Sequence, residues 1–274
     1  MTLVVLTGAT RGIGQAAAVA LARQGLDLAL VGREQDRVAA VARESRDAGA
    51  GTVTEYVADL TLMSQVRALA GRLRQEHEKI DVLANNAGAV FATRAVTSEG
   101  LERTFALNHL APFLLSDLLR DRVAGGRVVT TASDAHKAGR LDLQDLQAEH
   151  SYKAMRVYGT SKLCNIMFTR ELARRAPELH ANCFHPGVVR TGFGKNDGGI
   201  IKALAMLGGP FLRTPQRGAR SLVWLATDPA GAELDGEYVR DEKVLTPSAQ
   251  ACDEVLAAGL WERSEEILAS LGSG

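Results

Sequence analysis

The chain has 274 residues, 46% hydrophobic and 23% charged, a composition that supports a sizeable globular core and excludes a disordered, collagen-like or fibrous chain. Its 32 Lys and Arg balance 32 Asp and Glu, so no global basic field exists to gather nucleic acid or anionic lipid, and neither is expected as a partner. Cys164, Cys183 and Cys252 are odd in number and far apart, which fits small core residues in a reducing compartment and an expected cytoplasmic location.

The first apolar run, Leu3–Thr7, reads as a buried strand at the terminus itself, with no charged and apolar leader ahead of it. Gly8-Ala9-Thr10-Arg11-Gly12-Ile13-Gly14 follows, then a helix over 13–24. Glycines at 8, 12 and 14 let the backbone turn sharply and approach a pyrophosphate, to which the helix presents its positive N-terminus. By itself the spacing also suits a tight turn with no ligand. The second strand, Leu26–Val31, leads through Gly32-Arg33-Glu34 into a helix over 34–48. An acid at this point reads the ribose 2′-hydroxyl of NAD, whereas an arginine accommodates the 2′-phosphate of NADP. Arg33, with Arg11 as a second cation, points to NADP(H); Glu34 facing the ribose instead would point to NAD.

Strands over Thr52–Val57 and Val82–Asn85 end in Ala58-Asp59-Leu60 and Asn85-Asn86-Ala87-Gly88, with a helix over 62–77 between them. Both motifs stand at the carboxyl edge, where open α/β sheets bind ligands. Asp59 beside Leu60 can accept from an adenine amino group, and the Asn85-Asn86 pair, running into Ala87 and Gly88, can brace the loop on the adenosine side. A helix over 98–120, a strand Arg127–Ala132 and a helix over 155–175 come next, the last stopped by Arg174-Arg175-Ala176-Pro177. A strand Ala181–His185, a helix over 215–227, a weaker strand Gly236–Val239 and a helix over 248–270 complete the chain. Alternation of strand and helix predicts an α/β fold, one doubly wound parallel sheet of about seven strands with helices on both faces. No linker, repeat or charge break divides it, so residues 1–274 are expected to form one domain.

In the helix over 155–175, Tyr158 and Lys162 stand at i and i+4 on one face. An ammonium there can stabilise a phenolate and lower the tyrosine from its usual value of about 10 toward neutrality; an ordinary surface pair has the same spacing. His180, Cys183 and His185 lie close in sequence, but no fourth ligand is evident and no metal is expected.

TGATRGIG after the first strand, NNAG after the fourth and YGTSK on a later helix together resemble the short-chain dehydrogenase/reductase family. The resemblance runs from Leu3 to about Leu268, through Leu107–Phe113, Thr131–His136, His185–Thr191, Arg213–Gln216 and Ser248–Gln250, and is nearest the retinol-dehydrogenase-like branch of NADP-dependent aldehyde and ketone reductases. It implies a Rossmann-type fold with a tetrad of Asn108, Ser133, Tyr158 and Lys162. In that family pattern Tyr158 donates a proton as hydride reaches a carbonyl carbon, and Ser133 places the oxygen. Lys162 holds the nicotinamide ribose and biases Tyr158, and Asn108 anchors a proton-supplying water chain. Gly8, Thr10, Arg11, Gly12, Ile13 and Gly14 surround the pyrophosphate, Pro186-Gly187 makes a rigid turn, and the Val189 backbone and Thr191 hydroxyl meet the carboxamide.

The family places a substrate lid at about 192–215, here carrying Ile200, Ile201, Leu204, Met206, Leu207, Phe211 and Leu212. Leu141, Leu143, Leu146 and Tyr152, in a long separation between Ser133 and Tyr158, are expected to wall the pocket. Animal members of the branch often carry an N-terminal anchor, which the strand at Leu3 leaves no room for, so a membrane-resident retinoid role is not implied. The function expected is NADP(H)-dependent reduction of an aldehyde or ketone of a fairly apolar small molecule, or oxidation of the corresponding alcohol. Epimerisation through transient redox and non-catalytic NADP(H) sensing are the alternatives. Relatives commonly pair through the helices near 98–120 and 155–175, so a homo-oligomer is an open option.

Overall fold

Every residue of the first strand, β1 (Leu3–Thr7), is buried, as a parallel strand covered on both faces requires. The computed structural model describes residues 2–189 and 212–271. Beside β1 the sheet contains β2 (Asp27–Gly32), β3 (Val53–Val57), β4 (Val82–Asn85), β5 (Arg127–Thr131), β6 (His180–Phe184), β7 (Tyr238–Arg240) and β8 (Lys243–Leu245), in the order β3-β2-β1-β4-β5-β6-β7-β8. All neighbours are parallel except β7 and β8. The order reverses between β1 and β4, which opens a crevice beyond their carboxyl ends.

The helices are α1 (Gly12–Ala22), α2 (Gln35–Asp47), α3 (Met63–Glu76), α4 (Arg103–Phe105), α5 (Ala111–Leu118), α6 (Arg120–Val123), α7 (Ala154–Arg175), α8 (Pro215–Thr227), α9 (Pro229–Ala232) and α10 (Glu254–Ser270). A π-helical turn, Ala106–Leu110, joins α4 to α5. Strand side chains alternate between two cores. Val4 and Leu6 pack with Leu21 of α1 and Leu222 of α8, whereas Val5 shares the opposite layer with Leu73 of α3, Phe113 of α5, Leu163 and Phe168 of α7 and Trp261 of α10. This is a doubly wound Rossmann-type sheet.

Three of the differences from expectation have a clear local cause. β8 makes eight strands rather than about seven: Asp241 and Glu242 take φ of 50° and 61° and close a two-residue hairpin without the glycine or asparagine that marks such turns. The helix expected from 98 starts only at Arg103, because Gly100 has φ of 79° and Glu102 caps the helix by accepting from the amides of Thr104 and Phe105. The helix expected from 248 begins at Glu254, where the Asp253 carboxylate accepts from Leu256 N, and a 3-10 turn, Ala249–Cys252, precedes it.

Candidate active site

A groove runs along the carboxyl edge at the switch point. Its lining includes Gly8, Thr10, Arg11, Gly12, Ile13, Gly14, Arg33, Glu34, Asp59, Leu60, Asn86, Ala87, Gly88, Tyr158, Lys162 and Pro186. The start of α1 has no side-chain cap on its backbone amides, so these donors are available to an anion. Thr7 Oγ1 accepts from the amides of Asn86 (2.9 Å) and Ala87 (3.1 Å), and Asn86 Nδ2 donates to Thr7 O (3.0 Å). These bonds fasten the loop after β4 to the glycine loop. Asn85 is a correction: its side chain is buried and donates to Ser116 Oγ at 3.0 Å, so Asn86 faces the groove instead. Asn85 still belongs to β4 and points into the helix layer, whereas Asn86 has left the strand.

At the other end, Glu34 accepts from Arg11 at 3.1 Å and from Arg37 at 2.9 Å. Arg11 is therefore engaged with a carboxylate, while Arg33 is exposed on the rim with no ion-pair partner among the described residues. Asp59 accepts from the amide and the hydroxyl of Thr61, which turns the chain out of β3. A glycine loop with free amides, a rim arginine and a polar edge fit a dinucleotide.

The four tetrad positions meet at the opposite end. Asn108 stands in the π-helical turn, and its side chain both accepts from Ala89 N and donates to Ala89 O, each at 2.9 Å. The same amide donates to Ser161 Oγ at 2.9 Å, and Ser161 donates to the Tyr158 carbonyl at 2.7 Å. Lys162, 2% exposed, donates from Nζ to Thr131 O at 2.9 Å and lies 5.7 Å from the Tyr158 ring centre. A β-carbon at Gly88 would fall 3.2 Å from Asn108 Oδ1 and 3.3 Å from Lys162 Nζ, so the backbone itself borders the lysine. Ser133 opens a 3-10 turn, Asp134–Ala138, and hydrogen-bonds Tyr158. His136 secures that turn: Nδ1 donates to Ser133 O at 2.7 Å and Nε2 accepts from Ser248 N at 3.1 Å.

Burial pushes the Tyr158 phenol up to about 12 against the opposing hydrogen bond from Ser133, and burial lowers Lys162 to about 7. The structure does not show the tyrosine shifted toward neutrality that the i,i+4 spacing suggests. Desolvation dominates, and the lysine that would stabilise a phenolate is itself poised to lose its charge.

Pro186 lines the groove among the described residues, Gly187 packs against Arg213, and Val189 forms a parallel bridge to the same residue. Thr191 and residues 192–211 of the expected lid lie outside the described residues. Leu141, Leu143 and Leu146 join the core rather than the pocket wall, and Tyr152 donates to Phe91 O at 2.8 Å. Phe91, Arg103 and Leu107 line the groove unforeseen, because they reach it from a loop and a helix start that no local pattern marks as an edge.

The short chain dehydrogenase family model matches residues 2–198. A protein of Streptomyces sp. (strain C5) with the provisional name daunorubicin C-13 ketoreductase DnrU is 45% identical over 262 residues, covering 95% of this chain and 90% of its own. Mouse retinol dehydrogenase 14 is 35% identical, with 98% and 86% covered. A crystal structure from Mycobacterium paratuberculosis superposes with a TM-score of 0.80 at 31% identity, covering 98% of this chain and 94% of its own. A short-chain dehydrogenase from Sphingobium yanoikuyae in complex with NADPH gives 0.67 at 28%, with 82% and 84% covered.

The chain belongs to the short-chain dehydrogenase/reductase family. Within it, the chain falls in the retinol-dehydrogenase-like branch and is an oxidoreductase of the nicotinamide-dependent class. No helix among the described residues is long and apolar enough to cross a membrane.

Proposed function

We propose that this enzyme is an NADP(H)-dependent carbonyl reductase, folded as one domain, that reduces a ketone or aldehyde of a fairly apolar small molecule with Tyr158 as the proton donor. The observation that carries this reading is the meeting of Tyr158, Ser133 and Lys162 at one end of a groove whose other rim presents Arg33. The ketoreductase name of the Streptomyces relative and the NADPH in the Sphingobium structure support it.

Bound NADPH would supply the hydride to the carbonyl carbon. A phenol held near 12 keeps its proton at neutral pH and can pass it to the developing alkoxide. The Ser133 hydroxyl accepts from Ala135 N at 3.2 Å and is hydrogen-bonded to the Tyr158 phenol, so both hydroxyls can reach one substrate oxygen. Lys162 would hold the nicotinamide ribose, and Asn108 keeps the Ala89 backbone and the Tyr158 turn of α7 in register. At the far rim, Arg33 would meet the 2′-phosphate, with Glu34 drawn aside by Arg11 and Arg37.

The test is a panel of aryl and alkyl ketones and aldehydes followed at the NADPH absorbance band. We expect kcat/KM with NADPH to exceed that with NADH by about tenfold or more. Tyr158→Phe should lose at least about 100-fold in kcat while its NADPH dissociation constant stays put. A clear NADH preference overturns the cofactor assignment, and undiminished turnover by Tyr158→Phe overturns the mechanism.

A further inference from the structure

Arg103, the first residue of α4, lines the groove with Val90, Phe91 and Leu107. Its guanidinium lies over the Phe91 ring, 4.0 Å from the centroid. Stacking of this kind occupies the flat face of the guanidinium and leaves its N–H donors along the edge. Among the described residues those donors have neither a hydrogen-bond acceptor nor a carboxylate at ion-pair distance. The contrast with Arg11, which is paired to Glu34, is direct. The nearest acid in sequence, Glu102, is fully buried and committed to Thr104 N (2.9 Å), Thr104 Oγ1 (2.9 Å) and Phe105 N (2.8 Å).

Both halves of the pair are held in place. Tyr152 donates to the Phe91 carbonyl at 2.8 Å, and Arg103 N donates to Ala95 O at 3.0 Å. The pair also stands at the reacting end of the groove. Ala89, two residues before Phe91, is doubly bonded to Asn108, and Arg103 precedes Asn108 by five residues, little more than one helical turn. Arg33 follows β2 instead, and β2 and β4 lie on opposite sides of β1, so the chain leaves the sheet toward the two arginines at points about 10 Å apart.

We propose that Arg103, stacked on Phe91, binds an acidic group, a carboxylate or an ionised phenol, carried by the carbonyl substrate. The apolar body of that substrate rests against Val90 and Leu107, and its carbonyl is presented toward Tyr158. The preferred substrate is therefore an apolar ketone with one anionic substituent. This assignment rests on the carbonyl-reductase reading. The cofactor phosphates are the other source of the same chemistry, and the test separates the two.

Wild type, Arg103→Met and Arg103→Lys are compared on 4-acetylbenzoate and its methyl ester at saturating NADPH, and NADPH dissociation is measured by fluorescence. Arg103→Met should raise KM for the acid about tenfold to 100-fold and leave KM for the ester and the NADPH dissociation constant within about twofold, with Arg103→Lys in between. Equal shifts for acid and ester, or a weakened NADPH complex with no acid-specific effect, overturn the proposal. Calorimetry with 4-acetylbenzoate on the enzyme–NADP+ complex reads the anion without turnover. Arg103-dependent binding by an enzyme that reduces neither ketone would keep this site and overturn the reductase reading. Reduction of both ketones with no Arg103 dependence would do the reverse.

Discussion

His109 Nε2 lies 2.9 Å from the Ser264 hydroxyl, and through that bond the π-helical turn bearing Asn108 is fastened to α10, 155 residues further along the chain. Ser264 itself donates to Leu260 O at 2.7 Å, so it accepts from His109 and holds the ring with its proton on Nε2. Burial drives the imidazole down to about 3, which keeps it neutral, and it packs among Phe105, Phe113 and Phe168. Ser264→Ala strands a buried N–H, at a cost of about 1–3 kcal/mol. We expect a lower denaturation midpoint and a kcat reduced several-fold, with the KM for NADPH unchanged and Ser264→Thr restoring both losses. An unaltered kcat would show that the aromatic packing alone holds the turn.

The residue after Tyr158 is a contact point between backbones. A β-carbon at Gly159 would sit 2.6 Å from Ala135 O, and one at Gly139 would sit 2.5 Å from the Gly159 carbonyl carbon. The turn that carries Ser133 therefore rests directly on α7. Gly159→Ala forces the two apart, and a displacement of about 1 Å at reacting groups costs on the order of 100-fold. We expect kcat to fall by about tenfold to 100-fold with NADPH affinity retained, measured beside the melting temperature. Wild-type kcat in that variant would mean that the Ser133–Tyr158 separation does not depend on this contact.

Burial lowers Lys162 to about 7 from 10.5, so between those values the unfolded chain binds a proton that the folded, cofactor-free protein does not. Stability should accordingly rise with pH across that window, by up to about 1.4 kcal/mol per pH unit. Lys162→Met lacks this term. We expect the gap between the two melting temperatures to narrow from pH 7 to pH 8.5, the variant being the more stable at pH 7 while it has lost turnover. The buried thiols of Cys164 and Cys183, both raised by desolvation, are common to the two proteins and cancel. Parallel profiles would show a lysine charged throughout.

Legibility followed locality. β1 to β6 are readable within a residue or two because strand-forming residues cluster in short segments of chain: β1 and β2 are nearly continuous apolar runs covered on both faces, whereas β3 carries Thr54 and Glu55 and leaves Val57 exposed. β8 escaped notice because its hairpin uses Asp241 and Glu242 at positive φ, where only glycine or asparagine would have signalled a turn. The Asn85-Asn86 pair identifies a loop, but which of the two faces the groove depends on where β4 stops.

The sequence by itself determined the sheet class, the glycine turn and the presence of Tyr158 and Lys162 one helical turn apart, since periodicity and spacing are properties of a few consecutive residues. Only the tertiary structure decided which charges meet and which stay dry. Glu34 paired with Arg11, Arg103 stacked on Phe91, and Ser264 brought beneath His109 all join residues remote in sequence. The ionisation of Tyr158 and Lys162 belongs to the same class, because desolvation is set by everything that packs around a group.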